Sequence, residues 1–571
     1  MYNNKLYQRV RHMGLLILLV LAVALPGLST MPVIDRDEAR YAQASVQMLE
    51  TGDYLNIRFQ DRARNKKPAG AYWAQAASVK AFSDVEKRQI WAHRIPSVLA
   101  ALLAVLATYW GGARMLGREA AFIGAALLAT SMIFVFEAHI AKTDALLCGF
   151  SALTLAALGH IRNGGGRKSA LLFWFALGCA VMIKGPLLPL IIVLCFVTLA
   201  VWERKISWMK PLTFWLGPIL FLAIVLPWGV LIWQTTDGKF FADAIGGDLG
   251  SKLKGAQETH GGPPGYYTLT TWLAFWPACL FLLPGLAFAV RAGRGKNNFD
   301  APVAKAARLL LCWSIPFFIL LEIIPTKLPH YTLPIFPAWA LLAGAAVLTL
   351  TRVKEFPILR RLSAGLFLTI SIALAGTLLA AEAFFGEFPT WTFAVMGTAI
   401  ILSLFAAAKF WAGQGRPAFI MAVLSALIIT VPTYQFTMPS LNDLLLSRRV
   451  EAALENAGVA IPIKDTQVLS LRFTEPSLVY RLGTDIMLGK ADERIEHLSM
   501  SDGDIIILNR ALDDTHIYEQ KILDKLKPQN SCLTSVAIIE GNNYADDVLD
   551  DVKLDLLRLE QCPRPVLETQ P

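Results

Sequence analysis

Residues 13–31 read MGLLILLVLAVALPGLSTM and residues 362–381 read LSAGLFLTISIALAGTLLAA, with no charged side chain in either run. A helix crosses a bilayer core with roughly 20 apolar residues, and a soluble helix of that length without charge is uncommon. Similar runs recur along the chain. The sequence predicts thirteen spans, near 13–31, 94–111, 119–136, 143–160, 169–184, 186–202, 212–233, 269–290, 307–324, 331–350, 362–383, 389–411 and 416–436. Composition agrees: 55% of the 571 residues are apolar and 17% charged, against about 25% charged in an average soluble domain. The first run follows Arg9 and Arg11 but lacks an A-x-A cleavage site and is long for a signal peptide, so it reads as an uncleaved anchor.

Loop charge sets the orientation. Cytoplasmic loops collect Lys and Arg, most reliably where they are short. With Lys5, Arg9 and Arg11 inside, the other inside loops hold Arg114 and Arg118; Arg162, Arg167 and Lys168; Arg204, Lys205 and Lys210; Arg291, Arg294 and Lys296; and Arg352, Lys354, Arg360 and Arg361. Thirteen crossings leave the tail outside. The net charge is +9, yet residues 437–571 hold 14 Lys/Arg and 23 Asp/Glu, so the positive excess lies in loops between apolar runs. A nucleic-acid binder would gather it on one folded face, and that class is excluded.

The expected architecture is an all-α polytopic membrane bundle over 1–436, with outer loops at 32–93 and 234–268, and a small soluble domain over 437–571. In the tail, β-rich runs at Val468–Phe473, Asp504–Leu508 and Ser535–Ile539 alternate with helical-looking stretches such as Tyr544–Leu559, which predicts an α/β fold. Cys148, Cys179, Cys195, Cys279 and Cys312 sit in apolar runs as small core residues. Cys532 and Cys562 lie in the tail, either bonded in an oxidising compartment or left as two thiols.

Six polar clusters fall on the outer face. Asp35-Arg36-Asp37-Glu38-Ala39-Arg40-Tyr41 follows the first span. If a helix begins at Asp37, that carboxylate and Arg40 share a face: one suited to accept a proton, the other to bind a phosphate. Asp35 and Glu38 carry no such role. Asn65-Lys66-Lys67-Pro68 with Tyr72-Trp73 suits either a lipid-phosphate grip or snorkelling lysines with an aromatic belt. Lys142-Thr143-Asp144 stands at the mouth of the fourth span. Lys184-Gly185-Pro186 places a lysine at a depth that demands a partner or a polar cavity. Glu258 and His260 lie in a Gly/Pro-rich loop with Tyr266 and Tyr267, where they could line a sugar site or bind a metal. Pro325-Thr326-Lys327-Leu328-Pro329-His330-Tyr331 opens the tenth span. Carboxylates, cations and aromatic rings together suit a phosphate beside a sugar.

These elements resemble the bacterial lipid-A aminoarabinose transferase family of C-type glycosyltransferases, relatives of the protein O-mannosyltransferases. The likeness rests on Asp37-Glu38-Ala39-Arg40-Tyr41, the Lys67-Pro68 and Tyr72-Trp73 pairs, Thr143-Asp144, Lys184-Gly185-Pro186 and Lys327-Leu328-Pro329-His330-Tyr331, and covers roughly residues 10–350. It implies a C-type glycosyltransferase fold in the bacterial inner membrane, with a periplasmic site and tail. The implied activity moves a sugar, with inversion, from a polyprenyl-phosphate donor to lipid A or lipopolysaccharide core. Asp37 would be the catalytic carboxylate and Asp144 a second acid. Arg40, Lys67 and Lys184 would hold the donor phosphate; Tyr331, Lys327, His330, Glu258, His260 and Tyr72 would line the substrate site. Where family members often have an acidic residue before Lys-Pro, this chain has Lys66, so no metal site is carried over to that position. The reaction needs no cofactor on this reading; a divalent metal is left open by Glu258 and His260. The rival readings are a transporter or flippase of lipid-linked sugars, expected to show polar residues through mid-membrane, and a protein O-glycosyltransferase on the same scaffold.

Overall fold

The computed structural model describes residues 2–250, 261–295, 300–349, 357–387, 389–464, 466–489, 501–512, 515–526, 531–545 and 549–562. Among them, nine helices are long and apolar enough to cross a membrane: Leu6–Ala24, Ile90–Met115, Asp144–Arg162, Leu216–Thr236, Ala301–Ile323, Pro329–Thr349, Pro357–Phe385, Trp391–Trp411 and Gly415–Ser440. Two other expected spans are bent pairs, Arg118–Ala129 with Met132–Ala138 at 63° and Tyr266–Ala274 with Ala278–Gly293 at 115°. The runs flanking Lys184 form the shorter helices Arg167–Lys184 and Leu187–Glu203, parted by Gly185 at φ +65° and Pro186. This is a polytopic membrane protein. The first helix stops at Ala24, short of the expected 31, because Leu25-Pro26-Gly27 turns the chain, with Gly27 at φ +81°.

Small residues let the helices cross closely. An added Cβ on Gly124 would lie 2.5 Å from the Ala340 carbonyl oxygen, and one on Gly344 would meet the Ala120 carbonyl. Such pairs bring backbones together where no hydrophobic effect drives association in lipid.

The outer loop 32–93 is structured. Helix Asp37–Thr51 ends at Gly52, which takes the left-handed conformation that stops many helices. A two-stranded hairpin, β1 (Arg58–Phe59) with β2 (Arg62–Ala63), follows, then helix Gly70–Phe82.

The tail carries a five-stranded sheet of β3 (Val468–Leu471), β4 (Met487–Gly489), β5 (Ile505–Asn509), β6 (Ser531–Asn543) and β7 (Asp550–Gln561), in the order β4-β3-β5-β7-β6. β3 runs parallel to β4 and β5, while β7 is antiparallel to both neighbours. Both faces are covered. Ile505, Ile507, Val552, Leu554 and Leu556 pack with Leu446, Val450 and Leu478 on one side. Ile506, Leu508, Leu557 and Leu559 meet Ile522 on the other.

One expectation fails here. Most of the helical-looking stretch Tyr544–Leu559 is strand β7. Leu549, Val552, Leu556 and Leu559 have helical spacing, but Val552, Leu554 and Leu556 also alternate, and pairing with β5 and β6 selects the period of two.

Cys532 and Cys562 are joined, with Cα atoms 5.0 Å apart. A non-reducing digest should therefore yield these cysteines in one linked peptide pair; alkylatable thiols on both would reject the bond. Replacing both with Ser should lower the tail's stability by about 2–4 kcal/mol.

Candidate active site

Two groups of charges meet at one end of the helix bundle. The first is built by loop 32–93. Asp37 opens its helix, where the dipole favours a carboxylate. The Arg64 Nη2, arriving from beyond the hairpin, lies 3.7 Å from the Asp37 Oδ1. Its Nε donates to the Tyr72 hydroxyl at 3.3 Å, and its guanidinium lies 5.3 Å from the Tyr41 ring centroid. Tyr41 and Tyr72 stack at 4.9 Å.

The second group comes from the spans. Asp144 begins its helix and Lys184 ends another, so each charge sits where a helix dipole supports it. The Lys184 Nζ is 2.5 Å from the Asp144 Oδ1 and 5.4 Å from the Tyr331 ring centroid. Lys142 lies 3.0 Å from the Glu137 Oε1 and 3.7 Å from the Asp144 Oδ2. The His330 ring nitrogens stand 3.7 Å from Glu137 and 3.9 Å from Asp144. Glu137, Asp144 and Lys142 are buried, a placement that charges tolerate only when paired.

The two groups act on one another. Burial pushes the Asp37 carboxyl up, but Lys142, Arg64, His330 and Arg40 outweigh it and hold it below its ordinary value. The side chain is nonetheless 55% accessible: it lines an open mouth inside a ring of protein rather than a sealed core, so the cations prevail over desolvation. Among the described residues, Arg64, Lys142 and Lys184 stand with Asp37, Glu137 and Asp144, and the Arg40 charge also reaches Asp37.

Of the residues singled out in sequence, Asp37, Arg40, Tyr72, Asp144, Lys184, His330 and Tyr331 come together here. Lys67 is half-buried in the loop ahead of helix Gly70–Phe82, its Nζ 3.3 Å from the Lys66 carbonyl. Lys327 points elsewhere: buried, it donates to the carbonyls of Leu321 and Glu322 at 2.7 and 2.8 Å and caps the C-terminus of helix Ala301–Ile323. Glu258 and His260 lie outside the described residues. Among the described residues, no group of three or more His, Cys, Asp or Glu could hold a metal ion. Arg64 and Glu137 were missed, although Arg64 stands three residues before Lys67 and Glu137 lies between the expected third and fourth spans.

Asp35 and Glu38 are held by structural contacts. The Glu38 carboxylate is buried and accepts from the Arg94 Nε and Nη2, both at 2.8 Å, and from the Ala141 N–H at 2.8 Å. Arg94 also donates to the carbonyls of Leu28, Met31 and Pro32. Asp35 accepts from the Ser477 N–H at 2.7 Å and from the Ser477 hydroxyl, while its own N–H donates to the Tyr544 hydroxyl at 2.9 Å. Arg36 pairs with Glu475 through two bonds of 3.1 and 3.2 Å. Burial and the nearby Glu475 push the Asp35 carboxyl up to about 7, against the bonds from Ser477 and the charge of Arg40. The tail thus holds the two residues immediately before Asp37.

The fold has a close counterpart among solved structures. It matches the crystal structure of ArnT from Cupriavidus metallidurans bound to undecaprenyl phosphate with a TM-score of 0.71, over 96% of this chain and 98% of that one, at 19% identity. The likeness to the lipid-A aminoarabinose transferases, read from the motifs, is borne out. The chain is 29% identical over 348 residues to the undecaprenyl phosphate-alpha-4-amino-4-deoxy-L-arabinose arabinosyl transferase of Pseudomonas aeruginosa, covering 59% of this chain and 60% of that protein. The enzyme of the same name from Edwardsiella ictaluri is 29% identical over 357 residues, 59% of each chain. The chain therefore spans about 60% of the length of the curated relatives it matches. Residues 66–233 match the dolichyl-phosphate-mannose-protein mannosyltransferase family.

Proposed function

We propose that the protein is an inverting glycosyltransferase of the bacterial inner membrane, moving a sugar from a polyprenyl-phosphate donor to lipid A or lipopolysaccharide core at the periplasmic face. The observation that carries this reading is the convergence of Arg64, Lys142 and Lys184 with Asp37 and Asp144 at one mouth. Cations gathered there suit an anionic phosphate beside a carboxylate base. Arg40, Arg64 and Lys184 hold the donor phosphate, joined by Lys67 on the family's pattern. Asp37 takes the proton of the acceptor hydroxyl, whose oxygen bonds to the anomeric carbon from the face opposite the phosphate. The bond from that carbon to the phosphate oxygen breaks, polyprenyl phosphate leaves, and the configuration inverts. The cations stabilise the charge gathering on the leaving group, an effect that commonly dominates catalysis. Asp144, pinned by Lys184, keeps the second group in register, and Tyr41, Tyr72 and Tyr331 offer faces and hydroxyls to the sugar.

Transfer of sugar from a polyprenyl-phosphate donor to lipid A or core oligosaccharide in liposomes tests the activity. Product mass shifted by one sugar is expected; donor transport without transfer would favour a flippase.

Orientation has its own test. A reporter active only in the periplasm, fused after residue 440, should give signal, and one fused between Arg162 and Lys168 should give none. A cytoplasm-only reporter active after residue 440 would invert the placement of the site.

A further inference from the structure

We propose a second binding site, for the phosphate headgroup of an anionic membrane lipid, in the seam between the tail and the outer ends of the first two spans. A cavity of about 430 Å³ opens there, lined by the turn Ser29–Val33, Arg88, Trp91, Arg448, Glu451 and Arg481 among others. It shares no lining residue with the cluster around Asp37 and Asp144, and it stands independently of the transfer reaction.

Its charge is unbalanced. Arg481 is paired with Glu451. Arg88 is paired with Glu50 at 2.8 Å and donates to the Tyr480 carbonyl at 2.9 Å, yet its Nε is buried without an acceptor among the described residues. Arg448 donates to neutral oxygens, the Pro439 carbonyl at 3.1 Å and the Asn442 Oδ1 at 3.0 Å. Glu50 and Asp485 act on Arg88 from outside the cavity, so the lining itself holds three guanidiniums and one carboxylate, Glu451. Burial and the Arg481 charge act against the Arg448 cation, and the Glu451 charge offsets them only in part. A phosphate oxygen would relieve that repulsion and offer the forked geometry that guanidinium prefers.

Position identifies the source of the phosphate. The first span ends at Ala24 and the second begins at Ile90, so Ser29 and Trp91 stand at the level of the lipid headgroups. Ser29 and Thr30 are exposed at the rim, and Leu25 beside them is exposed as well. Helix Leu6–Ala24 is largely uncovered by protein, so acyl chains can run down its flank. Tryptophan favours this interface, and basic pockets at membrane surfaces select anionic headgroups. A soluble phosphate would gain nothing from the apolar flank.

The test uses the full chain in detergent. Native mass spectrometry and thermal midpoint are followed with phosphatidylglycerol, phosphatidylcholine or inorganic phosphate added. Wild-type protein should retain phosphatidylglycerol at one site and gain thermal stability, with little effect of phosphatidylcholine or phosphate at equal concentration. The Arg448→Gln/Arg481→Gln variant should bind phosphatidylglycerol at least tenfold more weakly. Equal binding by wild type and variant would overturn the site, and inorganic phosphate matching phosphatidylglycerol would overturn the lipid as its source. Should the double variant fail to fold, Ser29→Cys carrying a fluorophore leaves every arginine in place. Spin-labelled phosphatidylglycerol should quench it more than spin-labelled phosphatidylcholine, and equal quenching would reject the proposal.

Discussion

Asp37→Asn is expected to lower sugar transfer by about 100- to 10,000-fold, the range that a general base typically contributes, while the protein inserts and binds its donor normally. The amide keeps the shape of the side chain but cannot accept the hydroxyl proton. Folding should be spared, because the carboxylate is 55% accessible and its contact with Arg64, at 3.7 Å, is a loose one; exposed pairs contribute at most about 1 kcal/mol. Arg64 keeps its bond to Tyr72 and its place over the Tyr41 ring. The pKa of Asp37, held below its ordinary value by the surrounding cations, keeps the group ionised and ready at neutral pH. Transfer is measured in liposomes, with donor binding followed separately. Near-normal transfer by the variant would remove Asp37 as the base and make Asp144 the next residue to test.

One position along the chain the outcome should be of a different kind. Glu38→Gln leaves the fully buried Arg94 guanidinium facing a neutral amide. Breaking a buried ion pair from one side destabilises by about 3–5 kcal/mol, and here the pair also ties the turn at 28–34 and the Ala141 backbone to the second span. We expect a sharp fall in the yield of monodisperse protein and in its thermal midpoint. Donor binding by whatever fraction folds should be close to normal. A wild-type midpoint for Glu38→Gln would show that the pair is not what holds this corner together. The contrast between neighbours separates chemistry from architecture within one short motif.

Hydropathy is a local signal, and what depends on it was legible. The helices lie where the apolar runs lie, and the clusters at Asp37, Asp144, Lys184 and His330–Tyr331 meet at one mouth because their loops share a face. Partner choice is not local. Nothing in the sequence around Arg94 points to a carboxylate 56 residues earlier, so the structural role of Glu38 was not legible. Lys327 failed for a similar reason: its sequence setting matches that of His330, but its ammonium turns back onto the carbonyls ending the preceding helix. In β7 two periodicities coexist, and only the neighbouring strands decide between them.

Ser477, Glu475 and Tyr544 grip residues 35 and 36, more than 430 positions earlier in the chain. That grip has a bearing on biogenesis. The residues that aim Asp37 are made early, and their partners at Glu475, Ser477 and Tyr544 only after more than 430 further residues. On the proposed reading Asp37 therefore reaches its final setting late in the making of the chain, once those partners have folded against the turn before it.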